Sequence, residues 1–111
     1  MRPQALSDTE IIESLTGAPS WEHEGISLRR SITYPAFLTA IDAVGQIAAA
    51  AEELDHHPDI DIRWRTLHIT LTTHDCGGLS HLDFDLARRI DAISTALGVG
   101  EDELASGSST A

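Results

Sequence analysis

The hydrophobic period of the chain changes at Pro58, and that change fixes most of what it can fold into. Before it, Phe37, Ile41, Val44, Ala48 and Ala51 recur at three- and four-residue steps, flanked by Leu38, Ile47 and Leu54. That spacing predicts a helix over 35–55 with Pro35 in its first turn. A proline disfavours helical geometry at the residue before it, so the helix is expected to end around His56-His57. After Pro58, Ile60, Ile62 and Trp64 alternate with Asp59, Asp61 and Arg63. Leu67, Ile69, Leu71 and Thr73 then alternate with His68, Thr70, Thr72 and His74. A period of two predicts two strands. A hairpin turning at Arg65-Thr66 would set Trp64 opposite Leu67, Ile62 opposite Ile69 and Ile60 opposite Leu71. Carried back, the same register brings His57 opposite His74.

The flanking segments supply the remaining elements. Ser7-Asp8-Thr9-Glu10 has the form of a capping box and opens a short helix that Gly17-Ala18-Pro19 ends. Residues 21–32 read as two strands turning near Glu24-Gly25. Ile26, Leu28 and Ile32 alternate with polar residues, while Arg30 breaks the pattern and suggests an edge. Gly77-Gly78 turns the chain into a third helix capped by Ser80, with Asp83 in its first turn. Leu82, Leu86, Ile90, Ile93 and Leu97 form its apolar stripe, and Gly98 and Gly100 end it. Residues 1–100 are therefore expected to form one domain. Residues 101–111, acidic and then Ser/Gly-rich, are expected to fray. The predicted fold is α+β in the order α-β-β-α-β-β-α: a two-layer domain with helices on one face of a four-stranded antiparallel sheet.

Charge and composition narrow the partners. The 111 residues carry a net charge of −11, and all basic residues are arginine. A field of that sign repels nucleic acid and anionic membranes, and neither is expected as a partner. No apolar run approaches the ~18 residues of a membrane span. The single Cys76 can form no internal disulfide, and the N-terminus lacks the apolar stretch of a signal peptide. A cytoplasmic protein is expected.

Three histidines, His56, His57 and His74, are the chemical candidates. Imidazole, with an ordinary pKa near ~6.5, can both give and take a proton at neutral pH. The run Glu52, three residues, His56-His57-Pro58, five residues, Trp64, nine residues, His74, eight residues, Asp83 resembles the signature of the pterin-4a-carbinolamine dehydratases. The text from His68 to Ser80 is especially similar, and the resemblance covers roughly residues 5 to 97. It implies the fold just derived. It also implies dehydration of a 4a-hydroxytetrahydropterin to quinonoid dihydropterin, with no cofactor and no metal, in homodimers or homotetramers. In animals some members also bind a homeodomain transcription factor. Asp59-Ile60 departs from members that carry an aromatic residue there.

Under that resemblance His56 and His74 form the catalytic proton-transfer pair, either one being the acid, and His57 holds the pterin. Substrate-side candidates are His57, Glu52, Thr72, Thr73, Asp83 and Trp64. Each has a plainer structural reading. Asp83 sits at the capping position of its helix, and a carboxylate near His74 could also fix that ring's tautomer. Glu52, four residues before His56, is a solvated helix residue or orients that ring. Thr72 or Thr73 could offer the pterin a hydroxyl or backbone group. Trp64 reads as core by its alternation, and Cys76 as a packed thiol. His68, His23 and His81 read as ordinary polar positions. Two other functions compete: a histidine metal centre using Asp83 or Glu52, and a non-catalytic pterin-binding or protein-interaction module. Adjacent histidines seldom aim at one ion, which disfavours the metal.

Overall fold

The computed structural model describes residues 3–99. Along the chain run helix α1 (Asp8–Leu15), strands β1 (Glu22–Glu24) and β2 (Ser27–Thr33), helix α2 (Phe37–Leu54), and strands β3 (Asp59–Arg63) and β4 (Thr66–Leu71). A 3₁₀ turn (His74–Cys76) and helix α3 (His81–Ala96) follow. The strands form one antiparallel sheet in the order β1-β2-β4-β3. The expected α+β two-layer architecture is the one found. The segment 101–111, expected to fray, lies outside the described residues.

Strand alternation decides which sheet face is covered. Leu28, Arg30 and Ile32 of β2 and Leu67, Ile69 and Leu71 of β4 are buried under the helices. Their neighbours Arg29, Ser31, Thr33 and His68 face solvent, where Ser31 Oγ meets His68 Nδ1 at 2.7 Å. From above, α2 contributes Ala40, Ala43, Ile47, Ala50 and Ala51, and α3 contributes Phe84, Leu86, Ala87 and Ile90. Each fully buried Leu, Ile or Phe contributes roughly 1.5–3 kcal/mol relative to exposure. The core therefore rests mainly on β2, β4 and the undersides of the helices.

Five expectations need correction. The β3–β4 turn is Trp64-Arg65, one residue earlier than the spacing suggested, so Ile62 pairs with Leu67 and Ile60 with Ile69. Trp64 sits in this turn with φ +54° and is 71 % exposed, with the Arg65 guanidinium 4.7 Å from its ring centroid. It is not a core residue. Arg30 neither breaks the alternation nor marks an edge. It lies on the covered face of an inner strand, and its guanidinium pairs with Asp91 of α3. The Asp91 carboxylate also accepts a hydrogen bond from the buried Trp21 indole at 2.8 Å, a fixed polar tie between sheet and helix layer. Finally, Pro35 precedes α2, whose N-cap is Ala36. The core stripe of α2 is rotated from the expected one. Phe37, Leu38 and Ile41 are 47 %, 76 % and 44 % exposed, and Ala48 is exposed as well.

Candidate active site

How α2 ends decides where the two adjacent histidines point. Asp55 takes the left-handed conformation (φ 50°, ψ 46°), a state in which Asp is among the tolerated non-glycine residues. The His56 N–H then reaches back to the Ala51 carbonyl at 3.0 Å, closing the helix in a Schellman-like turn. After this reversal His56 is buried and His57 is exposed.

His56 meets Asp83 at the start of α3, with Nε2 and Oδ1 2.6 Å apart. A carboxylate is an acceptor, so the shared proton is carried on Nε2. Asp83 is fully buried, and its other oxygen is also satisfied. Oδ2 accepts from the Ser80 N–H at 2.9 Å and from the Thr73 hydroxyl at 2.7 Å. One carboxylate thus closes the capping box of α3 and holds the His56 ring. The capping reading of Asp83 holds. Its histidine partner is His56, not His74.

His57 pairs with Glu52, its Nε2 2.6 Å from Oε2, with both side chains exposed. Helical residues four apart face each other, which would turn Glu52 toward His56 if it were more than a solvated helix residue. The left-handed turn at Asp55 breaks that geometry and brings His57 over the end of the helix instead. His74 opens the 3₁₀ turn and is exposed. The loop that carries it is closed at its root: the Thr73 N–H donates to the Gly78 carbonyl at 2.9 Å, and Gly77 N–H to the His74 carbonyl at 3.1 Å. Gly77 has φ +71°, which suits glycine. Because Asp59 pairs with Thr70, the hairpin register carried back aims position 57 at Thr72, not at His74.

His56, Asp83, Thr73 and Ser80 are thus gathered in one hydrogen-bonded cluster, with His74 next along the chain from Thr73. His57 and Glu52 form a second pair at the surface beside it. Neither threonine hydroxyl is free, because Thr72 Oγ1 donates to the Ile26 carbonyl at 2.5 Å and Thr73 Oγ1 to Asp83. Trp64 lies at the far end of β3, about 17 Å along an extended strand from Asp59. Sequence reasoning missed Ser80 as a member of the cluster, although the Ser-x-x-Asp capping signature was the signal that could have found it. Cys76 is half-buried and packs its thiol against the Thr73 and Gly78 carbonyls. Among the described residues, no group of three or more His, Cys, Asp or Glu is placed to hold a metal ion. A prominent groove of about 720 Å³ lies elsewhere, between α2 and α3, lined by Ala49, Glu53, Arg88 and Ala92 among others.

Residues 4–93 match the family model described as pterin 4 alpha carbinolamine dehydratase. The chain belongs to this dehydratase family. A relative from Mycobacteroides abscessus, provisionally named a pterin-4-alpha-carbinolamine dehydratase, is 55 % identical over 86 residues, covering 78 % of this chain and 92 % of the relative. A similarly named relative from Roseiflexus is 50 % identical over 88 residues, covering 79 % of this chain and 95 % of its own. Among solved structures, a transcriptional coactivator/pterin dehydratase from Brucella melitensis superposes with a TM-score of 0.80 at 32 % identity, covering 82 % of this chain and 99 % of that one. A pterin dehydratase-like protein identified as a RuBisCO assembly factor in the alpha-carboxysome shares the fold, with a TM-score of 0.60 at 24 % identity. It covers 73 % of this chain and 93 % of its own. In this dehydratase-family chain, no described helix is long and apolar enough to cross a membrane.

Proposed function

We propose that this chain dehydrates a 4a-hydroxytetrahydropterin to quinonoid dihydropterin by histidine general acid–base catalysis. The reaction breaks the C4a–O bond and forms the C4a=N5 double bond. One proton must reach the departing hydroxyl so that it leaves as water, and one must be taken from N5. The two transfers balance, so no other reactant is consumed. His56 and His74 are the proton-transfer pair, and His57, held by Glu52, binds the pterin.

The observation that carries this reading is the buried Asp83 carboxylate. It fixes His56 at 2.6 Å and, through Thr73, anchors the start of the loop that carries His74. A ring held in one orientation and one tautomer is what proton transfer to a positioned substrate requires. His56 uses Nε2 toward Asp83, so Nδ1 is the nitrogen left for exchange. The test is turnover of a pterin-4a-carbinolamine by His56→Ala and His74→Ala. Each should lose at least ~10²-fold in kcat, the scale of one general acid or base, with the circular dichroism of the fold intact. Near-normal turnover by either variant would remove it from the mechanism.

The reading includes a homo-oligomer, a dimer or tetramer, and a cytoplasmic location, with no metal and no nucleic-acid or membrane partner. A second reading, a protein-interaction module of the same fold, draws on the exposed Phe37, Leu38 and Ile41 and on the coactivator named in the Brucella neighbour. A chain that binds pterin without accelerating its dehydration would favour that reading.

A further inference from the structure

We propose that Thr73 is a positioning residue: with Ser80 it forms a one-way chain of hydroxyl donors that ends on Asp83 and sets which nitrogen of His56 faces the substrate. The kinetic part of this inference rests on the dehydratase reading. The structural part does not.

The direction of the chain follows from counting donors and acceptors. The Asp83 carboxylate accepts, so the Thr73 hydroxyl 2.7 Å from Oδ2 spends its proton there. Thr73 Oγ1 and Ser80 Oγ are 2.8 Å apart, and Thr73 has no second hydroxyl proton to give. Ser80 must therefore donate to Thr73. Ser80 Oγ is free to do so, because it already accepts from the Leu82 N–H at 3.2 Å as the cap of α3. Every proton thus points toward Asp83, and reversing any one of them leaves two acceptors facing each other. Thr73, Ser80 and Asp83 are all buried, where an unmatched polar pair costs most.

The consequence lies at the other carboxylate oxygen. With Oδ2 satisfied by Thr73 and the Ser80 N–H, Asp83 is held with Oδ1 toward His56, and the ring must present Nε2–H to it. Thr73 also carries the loop closure through its backbone, since its N–H donates to Gly78 and its carbonyl accepts from the Cys76 N–H at 3.2 Å. One residue therefore ties the tautomer of His56 to the root of the His74 loop. A valine at this position keeps the shape and removes the donor. A serine keeps the donor.

The test combines long-range proton–nitrogen spectra of the histidine rings with kinetics, on the full chain, for wild type, Thr73→Val and Thr73→Ser. At mildly alkaline pH, where an ordinary imidazole is neutral, wild-type His56 should show the Nε2–H tautomer. Thr73→Val should give a mixed or reversed tautomer, with kcat lower on the order of 10-fold or more and KM little changed, as expected when a general acid or base is misoriented. Thr73→Ser should restore both the spectrum and kcat. A wild-type His56 protonated on Nδ1, or a valine variant with the wild-type spectrum and kcat, would overturn the proposal. If the valine variant does not fold, the wild-type tautomer alone decides. If the spectra behave as stated but no variant, wild type included, turns over carbinolamine, the hydroxyl chain stands and the dehydratase reading falls.

Discussion

His56 and His57 share a peptide bond and almost nothing else. One is buried against a fully buried carboxylate, and the other sits at the surface against an exposed one. Exposed ion pairs contribute little, about 0–1 kcal/mol, so Glu52 can guide His57 without locking it. The Asp83 contact lies where water cannot compete. That contrast fits a ring that moves protons beside one that grips and releases a ligand. Tyr34 shows what the same burial does to a group outside the site. Its phenol is buried against Ser94, 2.7 Å from Oγ, and desolvation raises its pKa above the ordinary 10.0, partly offset by the Ser94 hydrogen bond. Below the ordinary value, both the folded and unfolded chains keep the proton. Above it, the unfolded chain ionises first, so stability falls as pH rises. Unfolding free energies measured across the alkaline range should therefore drop more steeply for wild type than for Tyr34→Phe. Equal slopes would place the alkaline loss elsewhere.

The elements were legible where their signals are local. Both capping boxes, Ser7 with Glu10 and Ser80 with Asp83, were visible as four-residue patterns and are found at the helix starts. Misreadings arose where a distant partner or an uncharacteristic turn residue decided the outcome. A left-handed turn position is usually announced by Gly or Asn, but in the β3–β4 hairpin it is occupied by Trp64, so the loop was placed one residue late. The face of α2 was misjudged because alanines recur all around it and small side chains mark no side. Arg30 looked like a fault in β2 because its partner Asp91 is 61 residues away. The same kind of separation hides the carboxylate partner of His56, since Asp83 lies 27 positions downstream. The Arg30–Asp91 tie makes a prediction at this scale. The Arg30 side chain is only 4 % exposed and its Nε has no partner among the described residues, so removing Asp91 strands a buried charge. Asp91→Ala should cost about 2–3 kcal/mol by chemical denaturation, somewhat below a fully buried pair because Asp91 is partly exposed. Arg30→Met with Asp91→Leu should recover most of that loss. A near-neutral Asp91→Ala would show that water already shields Arg30.

At the scale of the whole molecule, the described residues present at least two surfaces that a monomer leaves unused. Strand β3 is an open sheet edge, and the start of α2 exposes Phe37, Leu38 and Ile41 together. A two-fold contact between like surfaces would cover either one. The net charge of −11 opposes association, but salt screens it beyond a Debye length of ~8–10 Å. Light scattering at low micromolar concentration and physiological salt should give a multiple of the 12.0 kDa chain, and Leu38→Asp should shift the population toward monomer if α2 makes the contact. A wild-type mass near 12.0 kDa would mean that the apolar arc of α2 needs no partner of its own kind. The central claim is chemical, and the most direct measurement is the rate at which the purified, chelator-treated chain removes water from a freshly generated pterin-4a-carbinolamine. The account predicts formation of quinonoid dihydropterin well above the spontaneous rate, undiminished by the chelator, and lowered at least ~10²-fold in His56→Ala. A rate equal to the spontaneous one, or activity that appears only when a divalent ion is returned, would contradict it.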